Sequence, residues 1–222
     1  MAERGPRLVL LGKQGAGKGT QAVRLAEHYG LTHLSTGELF RAAARSGTAF
    51  GLEAKRFMDD GELVPDDIVV GVVEERFSDN GGLVERGFVL DGFPRTAPQA
   101  KELTRVLAGS PLDATVELDV PMGVVLDRLA GRRVCEQCGA TYHVNLPPTD
   151  PWQCDNCGGA VVQREDDTEA AVMRRLEIYE TETVPIRELY REEGLLVTVD
   201  GTGDGDAVFE RLVAAVDGLD LA

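Results

Sequence analysis

The chain has 222 residues, 43% of them hydrophobic, which is enough for one sizeable core, but only 5% are aromatic, so Val, Leu and Ala must fill it. Its formal net charge of −15 is the wrong sign for gripping a nucleic-acid backbone, so no nucleic-acid partner is expected, and any phosphate must sit in a local basic pocket. No apolar run of about eighteen residues exists and no signal-type segment precedes Gly12, so no membrane association is expected and the expected compartment is the cytoplasm.

In chain order, Arg7–Leu11 (RLVLL) is a short apolar run ending in glycine, the pattern of a strand buried on both faces. Gly19 to Tyr29 predicts a helix that Gly30 ends. In STGELFRAAARSG, Ser35 and Thr36 offer caps for an Ala-rich helix and Gly47 a stop. GLEAKRFMDDG and DDIVVGVVEERFSD predict two further helices. GFVLDGFPR is a second strand, broken by Gly92 and Pro94, and Pro98 to Leu107 is helical. ATVELDV is a third strand, with a helix after it in MGVVLDRLAGRR. Thr168 to Glu193 reads as one long polar helix that Pro185 breaks. LLVTVD is a late strand, and Asp206 to Asp217 closes the chain as helix. Strands alternating with helices predict an α/β fold with a parallel sheet. The interval Arg132 to Asp167 breaks this rhythm, holds all four cysteines and the single tryptophan, Trp152, and reads as a small insertion.

Between the first strand and the first helix lies LLGKQGAGKGTQA. Gly12, Gly17 and Lys18 fit the phosphate-binding pattern G-x-x-x-x-G-K-[ST], but Gly19 follows the lysine and a hydroxyl comes only at Thr20. Glycines there let successive N–H groups point inward around an anion, and the helix N-terminus adds partial positive charge. With no hydroxyl directly after Lys18, a divalent metal is expected to be held loosely, through waters and carboxylates, which suits a small-molecule kinase better than a switch GTPase. Asp91 ends a strand at the carboxyl edge where α/β ligands bind, and Arg95 lies four residues on. A carboxylate for metal-bound water and an arginine for phosphate are what phosphoryl transfer needs.

Cys135-x2-Cys138 and Cys154-x2-Cys157 have the spacing of a four-cysteine zinc site, each pair followed by glycine, at Gly139 and Gly158. Four thiolates close the coordination shell, so the metal is expected to be structural. Two disulfides or free thiols are the alternatives. A nucleic-acid zinc ribbon would need a basic face, and Val134 to Val162 contains no Lys or Arg.

The segments GAGKGTQA, LSTGELFRAA, GELVPDDIV, LDGFPRTAPQA, LAGRRVCEQCGATYHV, QREDDTEAAVMRRLEIY and VDGTG together resemble the adenylate kinase family, in its bacterial form with a long, zinc-bearing lid. They run in family order across most of the chain. Gln14 departs from the proline usual in the family, while G-K-G-T is the family's own form of the loop. The resemblance implies a P-loop nucleoside monophosphate kinase fold: a parallel sheet flanked by helices, a helical AMP-binding insertion and a small zinc-stapled lid. It implies a core of residues 1–34, 65–130 and 168–222, an AMP-binding segment 35–64 and a lid 131–167.

The resemblance further implies reversible transfer from Mg-ATP to AMP giving two ADP, with Mg²⁺ and structural Zn²⁺ as cofactors and a monomeric state. Gly15, Ala16, Gly17, Lys18, Gly19 and Thr20 would hold the ATP phosphates. Arg128, Arg132, Thr141 and Tyr142 would meet ATP from the lid side, and Gly203 would face its adenine. Thr36, Arg41, Glu62, Leu63, Val64, Gly92, Phe93, Pro94, Arg95 and Gln99 would form the AMP site, the Gln99 amide reading the adenine edge. Arg164 and Arg175 would clamp phosphates near the transfer point. Asp91 and Asp166 would order metal-bound waters or the arginines. Arg132 rather than Arg133 is expected to face inward. None of His28, His33 and His143 has a readable carboxylate partner, and an ionised acceptor phosphate needs no general base. Two readings stay open beside this one. A related kinase could use UMP, CMP or GMP as acceptor, or GTP as donor, and a zinc-ribbon regulator could bind ATP without turnover.

Overall fold

A computed structural model of the chain describes residues 4–79, 83–107 and 109–219. Residues 1–3, 80–82, 108 and 220–222, which the expected core ranges include, lie outside the described residues.

Five parallel strands form the main sheet: β1 (Arg7–Leu11), β2 (Thr32–Ser35), β3 (Phe88–Asp91), β4 (Ala114–Asp119) and a late strand, Leu196–Asp200. Their order is β2-β3-β1-β4 with the late strand at the far edge. Along β1, Leu8 and Leu10 enter one apolar cluster while Val9 and Leu11 enter another on the opposite face. Helices cover both faces, so the strand has no polar alternation and reads as a continuous apolar run. One face is covered by α1 (Lys18–Tyr29) and α7 (Met122–Gly131), with the closing helix Gly205–Asp217. The other is covered by α2 (Thr36–Arg45), α3 (Ala49–Asp59), α4 (Asp66–Asp79) and α6 (Ala97–Val106). A short helix, α5 (Leu83–Arg86), precedes β3.

The expected elements are present with shifts of a residue or two, and three differences have clear causes. The first is β2, which the apolar pattern did not reveal. It is an edge strand pairing only with β3, none of its four residues is fully buried, and Thr32, His33 and Ser35 are polar. The second is GRR, expected as the end of a helix. The helix stops at Gly131, and Arg132 and Arg133 begin β5 (Arg132–Cys135). The third is the long helix expected from Thr168 to Glu193. It is α8 (Glu169–Ile178), a π-helical turn (Tyr179–Thr183) and α9 (Val184–Glu192). The Val184 N–H bonds back five residues to the Tyr179 carbonyl. A wide turn just before Pro185 gives room for the proline ring, which would otherwise strike the carbonyl four residues back.

The cysteine-bearing insertion is a separate three-stranded antiparallel sheet, with β5 between β6 (Thr141–His143) and β7 (Val161–Val162). The late parallel strand is therefore β8 and the closing helix α10. Glu117 is buried on β4, where it accepts from Arg187 Nη1 at 3.1 Å, the Tyr179 hydroxyl at 3.4 Å and Thr198 Oγ1 at 3.3 Å. That network ties the π-helical turn and α9 to the sheet. No helix among the described residues is long and apolar enough to cross a membrane.

Candidate active site

Parallel pairing brings the carboxyl ends of the strands together: Leu10 and Ser35 are each in register with Asp91, and Leu11 with Glu117. The segments leaving these ends build the site, as expected for ligand binding in an open α/β sheet.

The glycine loop leaves β1 at Gly12. A Cβ there would come within 2.8 Å of the Leu118 carbonyl oxygen, and one at Gly15 within 2.8 Å of Leu129 Cγ. Both residues have positive φ, so only glycine meets the backbone and space requirements together. Lys18 folds over the loop and donates to the carbonyls of Gly12 at 2.6 Å and Lys13 at 2.9 Å. Burial lowers its ammonium pKa to about 8, reinforced by the nearby positive charges of Arg95 and Arg132 and opposed by Asp91. A Cβ at Gly19 would lie 3.4 Å from Asp91 Oδ2, so the Asp91 carboxylate stands directly over the residue that follows the lysine. Arg128 reaches the other flank, donating to the carbonyls of Ala16 at 3.1 Å, Gly201 at 3.0 Å and Gly203 at 3.3 Å.

Beside the loop is a cleft lined in part by Thr36, Glu62, Leu63, Val64, Gly92, Arg95 and Gln99, all expected there. Its apolar wall is Phe40, Met58 and Val69, with Gly37 at the rim. Sequence reasoning missed these four. Their only signal was position within LSTGELFRAA, RFMDDG and GELVPDDIV. The Gly92 carbonyl anchors one end of the cleft, accepting from Thr36 Oγ1 and Arg95 Nε, both at 2.9 Å. Phe93, buried in the core, and Pro94 turn the chain between them. The Arg95 carbonyl accepts from Thr183 Oγ1 at 3.1 Å, so the π-helical turn braces this arginine.

Between loop and cleft, positive side chains converge with carboxylates among them. Arg164 makes two bonds to Asp166, at 2.9 and 2.7 Å, and Arg175 reaches the same carboxylate at 2.7 Å. Arg132 makes a two-bond pair with Asp167, and Arg175 stands 3.8 Å from Asp167. Arg41 pairs with Glu38 on its own helix. The side chains of Arg132, Arg164 and Arg175 keep only 16, 15 and 13% of their surface, and Asp167 keeps 1%. These charges act on one another. Burial lowers the Arg95 pKa, opposed by Asp91 and reinforced by Arg175, Arg41 and Arg164. Burial alone would raise Asp166, but its bonds and charge contact with Arg164, then Arg175 and Arg41, hold it well below the usual carboxylate range. Sequence reasoning singled out Asp166 and passed over Asp167, its neighbour in REDDT. Gln14, the chain's departure from the loop pattern, donates to Asp167 at 3.2 Å.

The insertion also approaches α2 and α3. A Cβ at Gly139 would lie 3.3 Å from Glu38 Oε2, and Glu165 pairs with Lys55 of α3 at 2.9 Å. Arg133 turns away to the Arg132 carbonyl, while Arg132 points inward. Thr141 is exposed on β6. The Tyr142 hydroxyl donates to Cys154 Sγ at 3.3 Å and accepts from the Asp155 N–H at 2.9 Å, so its polar contacts belong to the cysteine cluster.

The ligand atoms of Cys135, Cys138, Cys154 and Cys157 all lie within 4.8 Å of one another, with 3.4 Å between the sulfurs of Cys135 and Cys157 and 3.5 Å between those of Cys138 and Cys154. Sulfurs about 2.3 Å from a tetrahedral zinc stand about 3.8 Å apart, so the donor set fits that ion. The two turns match: Gly139 N–H bonds to the Cys135 carbonyl at 3.0 Å and Gly158 N–H to the Cys154 carbonyl at 2.8 Å. Both glycines have positive φ.

Residues 10–195 match the family model described as adenylate kinase. The chain is similar to the adenylate kinase of Carboxydothermus hydrogenoformans, 48% identical over 213 residues that cover 95% of this chain and 99% of that one. It is 46% identical to the adenylate kinase of Bacillus subtilis over 215 residues, covering 96 and 98%. It is 48% identical to that of Methanosarcina acetivorans over 210 residues, covering 93 and 96%.

Proposed function

The chain belongs to the adenylate kinase family, and on that premise we propose how its residues divide the work of moving the γ-phosphoryl group of ATP onto an α-phosphate oxygen of AMP. One bond breaks, between the γ-phosphorus and the bridging oxygen, and one forms, so that two ADP result. The observation that carries the reading is the gathering of Lys18, Arg41, Arg95, Arg132, Arg164 and Arg175 between the glycine loop and the acceptor cleft. Two polyanions must meet there, and in a site with little water their repulsion is offset only by fixed cations.

Gly15 to Thr20 hold the ATP phosphates through backbone N–H groups, with Lys18 leaving its loop carbonyls for the outer phosphates. Arg128 and Gly203 border the donor nucleotide, and Thr141 and Tyr142 come to it from the insertion. Thr36, Arg41, Gly92 to Arg95 and Gln99 take AMP, with Glu62, Leu63 and Val64 supplying backbone contacts. Arg132, Arg164 and Arg175 exchange part of their pairing with Asp166 and Asp167 for the transferring phosphoryl group. Arginine suits this task because its planar fork remains charged when buried. Asp91, over Gly19, fits as the acceptor of hydrogen bonds from waters on the Mg²⁺ of Mg-ATP, an ion that supplies charge neutralisation at the phosphates when bound. Catalysis is positioning and charge stabilisation, because the AMP phosphate is already ionised and needs no base.

In this reading residues 131–167 are a lid, 35–64 the AMP-binding segment and the rest the core. Cys135, Cys138, Cys154 and Cys157 would hold one Zn²⁺ that staples a lid too small for its own core. The lid excludes water, a competing acceptor. The test is an ADP-formation assay with Mg-ATP and each of AMP, UMP, CMP and GMP. AMP is expected to turn over at least 100-fold faster than the others. Faster turnover of UMP, or nucleotide binding with no ADP formed, would contradict the assignment.

A further inference from the structure

We infer that Asp66, at the start of α4, is a specificity-determining positioning residue that locks the Gln99 amide in the orientation that accepts a 6-aminopurine and refuses a 6-oxopurine. The inference deepens the reading above, since it rests on Gln99 facing the acceptor base.

Gln99 is 1% exposed at the wall of the cleft. Its Oε1 accepts from the Arg95 backbone N–H at 2.8 Å, and its Nε2 donates to Asp66 Oδ1 at 2.7 Å. The second Asp66 oxygen accepts from Thr96 Oγ1 at 2.8 Å, and Thr96 in turn caps α6 by accepting from the Gln99 N–H at 3.3 Å. The two ends of an amide are nearly alike in shape, so its orientation is decided by its neighbours. Both neighbours here have fixed polarity. A backbone N–H can only donate, and an ionised carboxylate can only accept. Turning the amide over would set Oε1 against a carboxylate and Nε2 against an N–H, both in a buried position.

One lone pair on Oε1 and one hydrogen on Nε2 remain beyond these bonds. Adenine presents an N6 amino donor beside the N7 acceptor, whereas guanine presents the O6 acceptor beside N7. The locked amide can therefore pair with adenine through both of its remaining groups. Against a 6-oxopurine, Oε1 meets another acceptor, and the flip that would relieve this is the one Asp66 forbids. A site whose buried polar groups are left unpaired by an analogue rejects it strongly.

The test compares AMP with IMP, which carries oxygen in place of the amino group at position 6 and a proton on N1, as acceptor in turnover and as ligand in calorimetry without ATP. The wild type is expected to prefer AMP by 100-fold or more in kcat/KM. Asp66→Asn, whose side chain can offer a donor or an acceptor, is expected to narrow that preference by at least 10-fold. The change should lie in the KM and Kd ratios and leave kcat with AMP within a few fold. A merely structural role would weaken both nucleotides equally, and an unchanged ratio in folded D66N overturns the lock while leaving the Gln99 reading intact. A wild type that treats AMP and IMP alike overturns both. Should D66N fail to fold, NMR of the wild-type Gln99 side-chain amide decides. One slowly exchanging proton supports the lock, and free rotation overturns it.

Discussion

Replacing Asp166 by Asn is expected to destabilise the nucleotide-free protein by about 3–5 kcal/mol, the usual effect of removing one partner from a buried charge pair. The change is nearly isosteric, so it tests charge and not packing. Asp166 accepts two bonds from Arg164 and one from Arg175, and its side chain keeps 10% of its surface. Without its charge, two largely buried guanidinium groups face each other and Arg41 with less compensation. With an unfolding entropy of about 2.1 cal/mol/K per residue, a chain of this length shifts about 2 °C per kcal/mol, so the midpoint falls by roughly 6–10 °C. The assay is thermal and urea unfolding at pH 7 followed by circular dichroism. The pH dependence fixes the cause. A carboxylate held below its ordinary pKa contributes stability that is fully present above the unfolded value, about 3.9, and is lost as pH falls through the folded value. The gap between wild type and Asp166→Asn should therefore be constant at neutral pH and narrow below about pH 4. A loss under about 1 kcal/mol at pH 7, or a gap that persists unchanged into acid, would refute the claim that Asp166 is the counter-charge of this cluster.

Three further outcomes are expected. Metal analysis should find one zinc per chain, and stripping it with a chelator should lower the melting temperature and the rate of ADP formation together; a metal-free chain with unchanged melting would exclude the four-cysteine staple. Trp152 is 45% exposed in the insertion, and its fluorescence should change on adding a bisubstrate analogue; a flat signal at saturation would count against closure or against Trp152 reporting it. Thr183→Val removes the hydroxyl that holds the Arg95 carbonyl and should lower kcat about 10-fold with little change in KM for ATP, with Thr183→Ser restoring it; unchanged kcat would show the π-helical turn to be irrelevant to Arg95.

The parts of this molecule that follow local rules were legible in its sequence. RLVLL could be read because burial on both faces leaves Leu8 to Leu11 an unbroken apolar run, and the glycine loop because Gly12 and Gly15 have close neighbours and positive φ that bar a side chain. The cysteine pairs could be read because identical turns impose identical spacing. What escaped depends on partners distant in sequence. β2 is an edge strand whose half-buried residues carry no period. The role of Asp167 is visible only once Arg132 and Gln14 arrive from 35 and 153 residues away. The π-helical turn is hidden because a proline announces an interruption without saying which kind. Tyr142 lies beside Cys154, a contact that spacing alone does not give.

The most direct test of the account is the rate of ADP formation by Arg95→Ala under saturating Mg-ATP and AMP. Arg95 lies between loop and cleft, within the charge field of Lys18, Asp91, Arg41, Arg164 and Arg175. If the converging cations carry the reaction, kcat should fall by at least 100-fold, about 3 kcal/mol of transition-state stabilisation, while circular dichroism and melting stay near those of the wild type. A folded Arg95→Ala protein that turns over at a near-normal rate would contradict it.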